Sequence, residues 1–401
     1  MHGVHDSGYS WLRLSITLAL ATVGNVGMWA VIVVMPAVQA EFATTRAGAS
    51  VPYTLCMAGF AAGNFLMGRV VDRWGAPRAL AVAALAISAG FALSAASTSV
   101  ALLSASHLLV GFGAATFFGP LIADISHWFM RRRGIAVAIA ASGNYLAGAI
   151  WPLLLAGILD ASGWRAAYLV IALAVPAIVL PGTLLLRRRV PAAATVAADT
   201  AAAFAARRVA LSPRALQWLL ALAGVACCVA MSMPQVHIVS FCVDLGYGPV
   251  VGAQMLSLML AGGVVSRLAS GLLADRLGGV WTLLIGSTLQ MLALCLYLPS
   301  SGLTSLYIVS LVFGLAQGGL VPAYAIIVRE FLPAREAGAR VGFVIMATIV
   351  GMALGGWMSG WIYDVTGSYR MAFLNGIGWN LLNMVVVAAI LLRSRPKLQP
   401  A

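Results

Sequence analysis

One arginine, Arg267, stands inside an apolar stretch of the sequence, GGVVSRLASGLLADRLGG (residues 262–279). In a helix counted from Asp275, at about 1.5 Å per residue, Arg267 lies about 12 Å from the helix end. No aspartate or glutamate occupies a comparable depth in the apolar segments. A carboxylate substrate would satisfy the guanidinium through a bidentate, charge-assisted pair. We therefore predict that Arg267 binds a carboxylate; the alternative is that it snorkels or bonds to helix carbonyls.

Other polar or aromatic residues at similar depth are candidates for the same cavity. An asparagine or glutamine there could donate to a carboxylate, or it could equally bond to a neighbouring helix. Glycine and proline near three of the candidates indicate bends or close packing. The candidates for substrate contact are Asn25, Phe118, Asn144, Tyr145, Gln317 and Tyr324.

Two histidines and one aspartate in the apolar segments are titratable. Because histidine changes charge between pH 5 and 8, His237 and His107 are candidates for proton coupling, with helix packing as the alternative for each. Asp124 is predicted to belong to a gate with the basic loop at residues 131–133.

The composition indicates what positions these residues. Of the 401 residues 62% are hydrophobic and 9% are charged, whereas soluble domains carry about 25% charged residues. Repeated apolar stretches of about 20 residues are long enough to cross a bilayer as helices. The sequence predicts an all-α integral membrane protein with twelve transmembrane helices, near residues 14–38, 48–70, 79–97, 100–125, 135–158, 166–186, 215–241, 250–273, 281–299, 304–328, 339–362 and 371–392.

An internal repeat divides these spans into two sets of six. GRVVDRWG (68–75) returns as GLLADRLG (271–278), and LDASGWRAAYL (159–169) is echoed by YDVTGSYRMAFL (363–374). Six spans return the chain to its starting side, so the repeats are parallel. We predict an N-terminal half at residues 1–186, a polar linker at 187–214 and a C-terminal half at 215–401.

The positive charges predict the orientation. Of the 24 lysines and arginines, twenty would lie on the side of the two termini, Arg46, Arg165 and Arg370 on the other side, and Arg267 within a span. Basic loops are typically cytoplasmic. We therefore predict a multi-pass protein of the inner (plasma) membrane with both termini and the linker in the cytoplasm. The net charge of +13 then reflects this bias and not a nucleic-acid partner.

The loop GRVVDRWGAPR between spans 2 and 3, in a chain of twelve spans and two parallel halves, resembles the Gly-x-x-x-Asp-Arg-x-Gly loop of the major facilitator superfamily. The resemblance covers essentially the whole chain and implies the major facilitator fold. It also implies a cytoplasmic gate built from this loop and its repeat. The predicted gating residues are Asp72, Arg73, Asp275, Arg276, Arg131 and Asp124.

Two further motifs resemble those of monocarboxylate transporters, a branch related to bacterial oxalate/formate-type carriers. DSGYSW (6–11) precedes span 1, and WFMRRRGIAVAIAASG (128–143) opens span 5. The resemblance implies an anion-binding arginine in span 8, which is Arg267 here. The chain departs from mammalian members by having no lysine in span 1, and by having Gly263 where they carry an aspartate.

These observations predict a monomeric secondary active transporter of a small monocarboxylate such as lactate or pyruvate, driven by a proton gradient through alternating access. The sequence contains no P-loop, His-Glu-x-x-His or Gly-x-Ser-x-Gly motif, so we predict neither an enzyme nor a cofactor or metal. The alternatives are an anion exchanger of oxalate/formate type, a drug or metabolite exporter of the same fold, and a transporter-like sensor of an organic acid.

Overall fold

The computed structural model describes residues 5–188, 211–332 and 334–393, without the side chains of residue 72 and residues 334–339. All regular secondary structure in these ranges is helical. Within the described residues, eleven helices are long and apolar enough to span a membrane. One of them, Arg133–Leu185, has 53 residues and is broken at Gly163, where φ is 77° and ψ is 171°. It therefore supplies two spans, and the prediction of twelve is confirmed.

We number the spans α1 to α12 in chain order, with α5 and α6 on either side of Gly163. The start of α1 at Gly8, earlier than predicted, follows from the side chain of Ser7, which accepts a hydrogen bond from the backbone N–H of Ser10. The bounds are Gly8–Glu41, Arg46–Trp74, Ala76–Ala95, Val100–Ser126, Arg133–Leu185 (α5 and α6), Pro213–Asp244, Gly248–Leu277, Gly279–Tyr297, Leu303–Phe331, Ala334–Thr366 and Tyr369–Arg393.

Three spans are interrupted near their middles. α1 breaks at Asn25, α4 at Phe117 and Phe118, and α10 between Gln317 and Leu320. A break frees backbone carbonyls that the helix would otherwise use, and in a membrane these carbonyls need other partners. The interruptions therefore create hydrogen-bond acceptors in the interior of the bundle.

One helix contact repeats at an offset of 203 residues, the offset between GRVVDRWG (68–75) and GLLADRLG (271–278). A Cβ added at Gly111 of α4 would lie 1.9 Å from the carbonyl oxygen of Cys56 in α2, and one at Gly314 of α10 would lie 2.0 Å from that of Met259 in α8. Only glycine permits such close approach. The two sets of six helices thus share their packing, which confirms the predicted repeat. The linker prediction falls largely on residues 189–210, outside the described residues.

The charged residues gather at the two ends of the bundle. We call the end that carries Gly8, Trp74 and Arg133 the basic end, and the end that carries Glu41 and Arg46 the opposite end. At the opposite end Glu41 accepts hydrogen bonds from Trp164 Nε1 and from Arg165, which joins α1 to α6.

Candidate functional site

Arg267 belongs to α8, and its side chain lies in the interior of the bundle against α5. Its side chain is 4% exposed. Nε donates to the carbonyl oxygen of Gly318 at 3.1 Å, and Nη1 donates to that of Ala141 at 2.5 Å. The first acceptor is one of the carbonyls freed by the break in α10. Arg267 thus connects a helix of the first six, α5, with two of the second six.

The guanidinium also stacks on an aromatic ring of α5. Arg267 Cζ lies 4.0 Å from the ring centroid of Tyr145, a cation–π contact. Gly263, one turn before Arg267, makes room for this ring, because a Cβ there would lie 3.2 Å from Tyr145. Tyr145 therefore contacts Arg267, and its contact with substrate stays a prediction. The glycine at position 263 has a steric explanation.

No carboxylate neutralises Arg267 among the described side chains, whose ion pairs are Arg13–Asp124, Arg46–Asp244 and Arg165–Glu41. The two carbonyls are neutral dipoles, so the positive charge stays uncompensated in a dry environment. Burial of an unpaired charge is costly. The two contacts are those of the alternative, in which Arg267 bonds to helix carbonyls. Binding of a carboxylate by the remaining charge stays a prediction.

Asn144 and Asn25, the two predicted asparagines, occupy different positions. Oδ1 and the carbonyl oxygen of Asn144 accept from Trp29 Nε1 at 3.1 and 2.9 Å, and the Nδ2 group donates no hydrogen bond to the described residues. Asn25 Nδ2 donates to the carbonyls of Ala21 and Phe117. Asn144 therefore keeps a free donor one helical turn from Ala141, whereas Asn25 joins the breaks of α1 and α4.

The three remaining substrate candidates lie apart from one another. Gln317 Oε1 accepts from Gln235 Nε2 of α7 at 2.6 Å. The Tyr324 hydroxyl donates to Asn383 Oδ1 of α12 at 2.8 Å. Phe118 sits at the break of α4, and its ring lies 5.9 Å from that of Phe60. Their contact with substrate stays a prediction.

Both candidate histidines are fully buried and hydrogen-bonded. His107 Nδ1 lies 2.8 Å from the carbonyl of Leu103, and Nε2 lies 3.1 Å from the hydroxyl of Tyr168. These contacts are within the first six helices. His237 Nδ1 lies 3.0 Å from the hydroxyl of Tyr369 and Nε2 lies 2.7 Å from the carbonyl of Gly356, so His237 connects α7 with α11 and α12.

Tyr369 links His237 to a group that the sequence reasoning missed, the Arg46 cluster, which comprises Arg46, Asp244, Asp364, Tyr363 and Tyr369. Arg46 donates from Nη2 to Asp244 at 2.9 Å and from Nη1 to the Tyr369 hydroxyl at 3.2 Å. Asp364 accepts from the backbone N–H groups of Arg46 and Ala47 at 2.8 Å each.

The Arg46 cluster fastens α2 to α7, α11 and α12 at the opposite end. Arg46 Cζ also lies 4.6 Å from the ring centroid of Tyr363. The sequence did carry a signal, since Asp364 belongs to one of the repeated motifs, but no local pattern related it to Arg46.

At the basic end, the two motifs that resemble monocarboxylate transporters come together. The carboxylate of Asp6 accepts hydrogen bonds from the backbone N–H groups of residues 130, 131 and 132, at 3.0–3.2 Å. Tyr9 lies against Trp128, and Trp11 lies against Phe129. Desolvation opposes ionisation of Asp6, but these backbone hydrogen bonds hold its pKa below the ordinary value.

Asp124 has a different partner from the one we predicted. Its Oδ2 lies 2.7 Å from Nη2 of Arg13 on α1, and Arg13 also donates to the carbonyls of Leu186 and Arg188. Asp6 instead accepts from the backbone N–H groups of residues 130–132, because free N–H groups before the first turn of α5 attract a carboxylate. Asp124 thus ties α1 to α4 beside that loop.

The other predicted gating residues lie at the basic end. Arg73, Arg131, Asp275 and Arg276 are exposed there, and the side chain of Asp72 is outside the described part of the chain. Their role in a gate stays a prediction.

The sequence profile described as Major Facilitator Superfamily matches residues 17–303 and 244–401. Among similar proteins, monocarboxylate transporter 13 of Bos taurus is 29% identical over 67% of this chain and 62% of its own length. Monocarboxylate transporter 11 of Homo sapiens is 26% identical over 93% of this chain and 81% of its own length. The chain thus spans less than two thirds of the bovine relative.

A solved structure of a bacterial homologue of the human lysosomal transporter Spinster, in an inward-facing and occupied conformation, has the same fold. It superimposes with a TM-score of 0.75 at 14% identity, over 99% of this chain and all of that chain. At this identity the likeness concerns the fold alone.

Proposed function

The chain belongs to the Major Facilitator Superfamily, and we propose that it is a secondary active transporter of a small monocarboxylate such as lactate or pyruvate. The predicted superfamily, monocarboxylate transporter-like branch and fold are confirmed, and the protein is a membrane transporter and not an enzyme. The substrate and its coupling to protons are our proposal.

The observation that carries the proposal is the uncompensated charge of Arg267. Two backbone carbonyls and the Tyr145 ring hold the guanidinium in place without neutralising it. A substrate carboxylate supplies the missing negative charge. One buried cation suits one carboxylate, whereas a dicarboxylate such as oxalate would favour two, and a cationic drug would favour a buried acid.

Alternating access requires the two halves to separate at one end while they meet at the other. The Arg46 cluster joins α2 of the first six helices to α7, α11 and α12 of the second six, so we propose that it closes the opposite end. The gate at the basic end would comprise the loop at residues 68–75 and its repeat at 271–278.

Proton coupling is assigned to His237. It shares Tyr369 with Arg46, so a change in its hydrogen bonds reaches the contact between the two halves. His107 bonds only within the first six helices, so it is the less favoured of the two candidates.

Uptake into proteoliposomes tests the proposal. We expect radiolabelled lactate or pyruvate to accumulate when the external medium is more acidic than the lumen, and not in liposomes without protein. Uptake that requires oxalate or formate inside would indicate the exchanger instead. Absence of uptake of every monocarboxylate, with binding of an apolar or cationic drug, would contradict the proposal in favour of the exporter.

From the charge bias we propose that both termini and the linker at residues 187–214 face the cytoplasm. The protein would lie in the inner or plasma membrane as a monomer. Cysteines placed at Ala202 and Ser368, in a variant without native cysteines, should react with an impermeant reagent from opposite sides. Labelling of both from outside intact cells would contradict this topology.

A further inference from the structure

Two buried glutamines, Gln235 of α7 and Gln317 of α10, meet in the interior of the bundle. Both are 0% exposed. One hydrogen bond of 2.6 Å joins them, from Gln235 Nε2 to Gln317 Oε1. The remaining amide atoms, Gln235 Oε1 and Gln317 Nε2, have no hydrogen-bond partner among the described residues. The pair therefore presents one unused acceptor and one unused donor.

If the side-chain oxygen and nitrogen of both glutamines are interchanged, the pair still presents one unused acceptor and one unused donor. The hydrogen bond between the glutamines would then run in the other direction, and one donor and one acceptor would still be unused. Such groups are expensive to bury, whereas two apolar side chains of similar size would pack without this cost. Packing alone therefore does not explain the pair.

The pair lies close to Arg267. Gln317 directly precedes Gly318, whose carbonyl oxygen accepts from Arg267 Nε at 3.1 Å, and successive Cα atoms are only about 3.8 Å apart. The break in α10 after Gln317 is the same one that frees this carbonyl. The unused amide groups and the uncompensated cation thus belong to one region of the bundle.

We propose that Gln235 and Gln317 bind the oxygen on the carbon next to the substrate carboxylate, and so select 2-hydroxy acids. A hydroxyl both donates and accepts, so it satisfies Gln235 Oε1 and Gln317 Nε2 together. A 2-oxo group accepts from Gln317 Nε2 alone, and an unsubstituted acid satisfies neither group. The expected order of affinity is lactate, then pyruvate, then propionate. This inference rests on the proposed function, with Arg267 holding the carboxylate.

The test compares affinities of the purified full-length protein for lactate, pyruvate and propionate, measured by calorimetry. We expect lactate to bind at least about tenfold more tightly than propionate, as loss of one good hydrogen bond implies. In the double variant Gln235→Leu/Gln317→Leu the two affinities should become equal within about twofold through weaker lactate binding, with propionate unchanged. The melting temperature should not fall, because both partners are replaced by apolar groups.

Gln290 of α9 provides the matched control. It is a fully buried glutamine with an unpartnered Oε1, but its Nε2 is bonded to the carbonyl of Cys227 and to Asn380 among helices of the second six. Gln290→Leu should leave the ratio of lactate to propionate affinity unchanged. If the double variant does not fold, the single variant Gln317→Met serves for the same comparison, with a smaller expected loss for lactate because the acceptor Gln235 Oε1 remains.

The outcomes separate this inference from the function on which it rests. If the wild type binds lactate and propionate equally, or if the double variant keeps the wild-type ratio, the assignment of the glutamine pair is wrong and the monocarboxylate function stands. A double variant that melts at a lower temperature with its selectivity intact identifies the pair as a packing contact. If the wild type binds none of the three acids, both proposals fail.

Discussion

Replacement of Arg267 tests the proposed anion site most directly. Removing one member of a buried charge pair costs about 3–5 kcal/mol, which corresponds to a loss of affinity of about 10²- to 10³-fold or more. We therefore expect Arg267→Ala to abolish measurable uptake of lactate by proteoliposomes. The exposed Arg214, outside both gate loops, is the control for loss of a positive charge, and Arg214→Ala should transport normally.

The variant Arg267→Lys distinguishes an anion site from simple snorkelling. Lysine keeps the charge but has no group at the position of Nε to bond Gly318, and it lacks the planar surface that stacks on Tyr145. Lysine also cannot form the planar two-bond contact with a carboxylate. Because a hydrogen bond from a charged group contributes about 1.5–3 kcal/mol, we expect at least about tenfold weaker substrate binding. Because lysine snorkels as readily as arginine, wild-type uptake by Arg267→Lys at matched expression would refute the assignment.

Three further variants test the other contacts. Asp364→Asn weakens the hydrogen bonds to the N-terminus of α2. We therefore expect a reagent added from the opposite end to label the surroundings of Arg267 more readily. Asp160→Asn, at the exposed counterpart in the first repeat, should leave this labelling unchanged. Asp6→Asn should lower the melting temperature at pH 7. The folded-state pKa of Asp6 is below its ordinary value because of the backbone hydrogen bonds, so the difference from wild type should vanish only as the pH falls through that lowered pKa. A difference that persists at still lower pH would contradict a carboxylate role. Gly111→Ala forces α2 and α4 apart and should destabilise the detergent-solubilised protein by about 2 kcal/mol or more. Gly157→Ala is the control, because an added Cβ there meets nothing within 4 Å. Equal melting temperatures of the two variants would show that the helices adjust.

The spans and the depth of Arg267 could be predicted because they depend only on local quantities. Apolar runs predict the helices, and a rise of about 1.5 Å per residue gives the depth. The contact of Arg267 with Tyr145 depends in addition on how α5 packs against α8, which no local pattern specifies. The sequence placed both residues in the interior but gave no distance between them.

The Arg46 cluster and Gln235 were missed for two different physical reasons. Arg46 was interpreted by its charge alone, as a loop residue, and its partners Asp244 and Asp364 are 198 and 318 residues away in the sequence. Gln235 carries no charge, so its significance depends on whether its amide is satisfied by neighbours. Whether the amide is satisfied is decided only in the folded chain, because the same glutamine on a water-exposed surface would be bonded to water.

The close contacts of Gly111 and Gly314 have a mechanical consequence. Within each set of six helices these glycines bring backbone against backbone with no side chain between them, so the helices cannot slide past one another without atoms colliding. Between the two sets the backbones approach less closely: a Cβ at Gly360 of α11 would lie 2.9 Å from the carbonyl oxygen of Arg46 in α2, against 1.9 and 2.0 Å within the sets. The closest backbone contacts therefore lie inside each set, so a rotation of one set against the other would deform the boundary that contains Arg46 and Arg267.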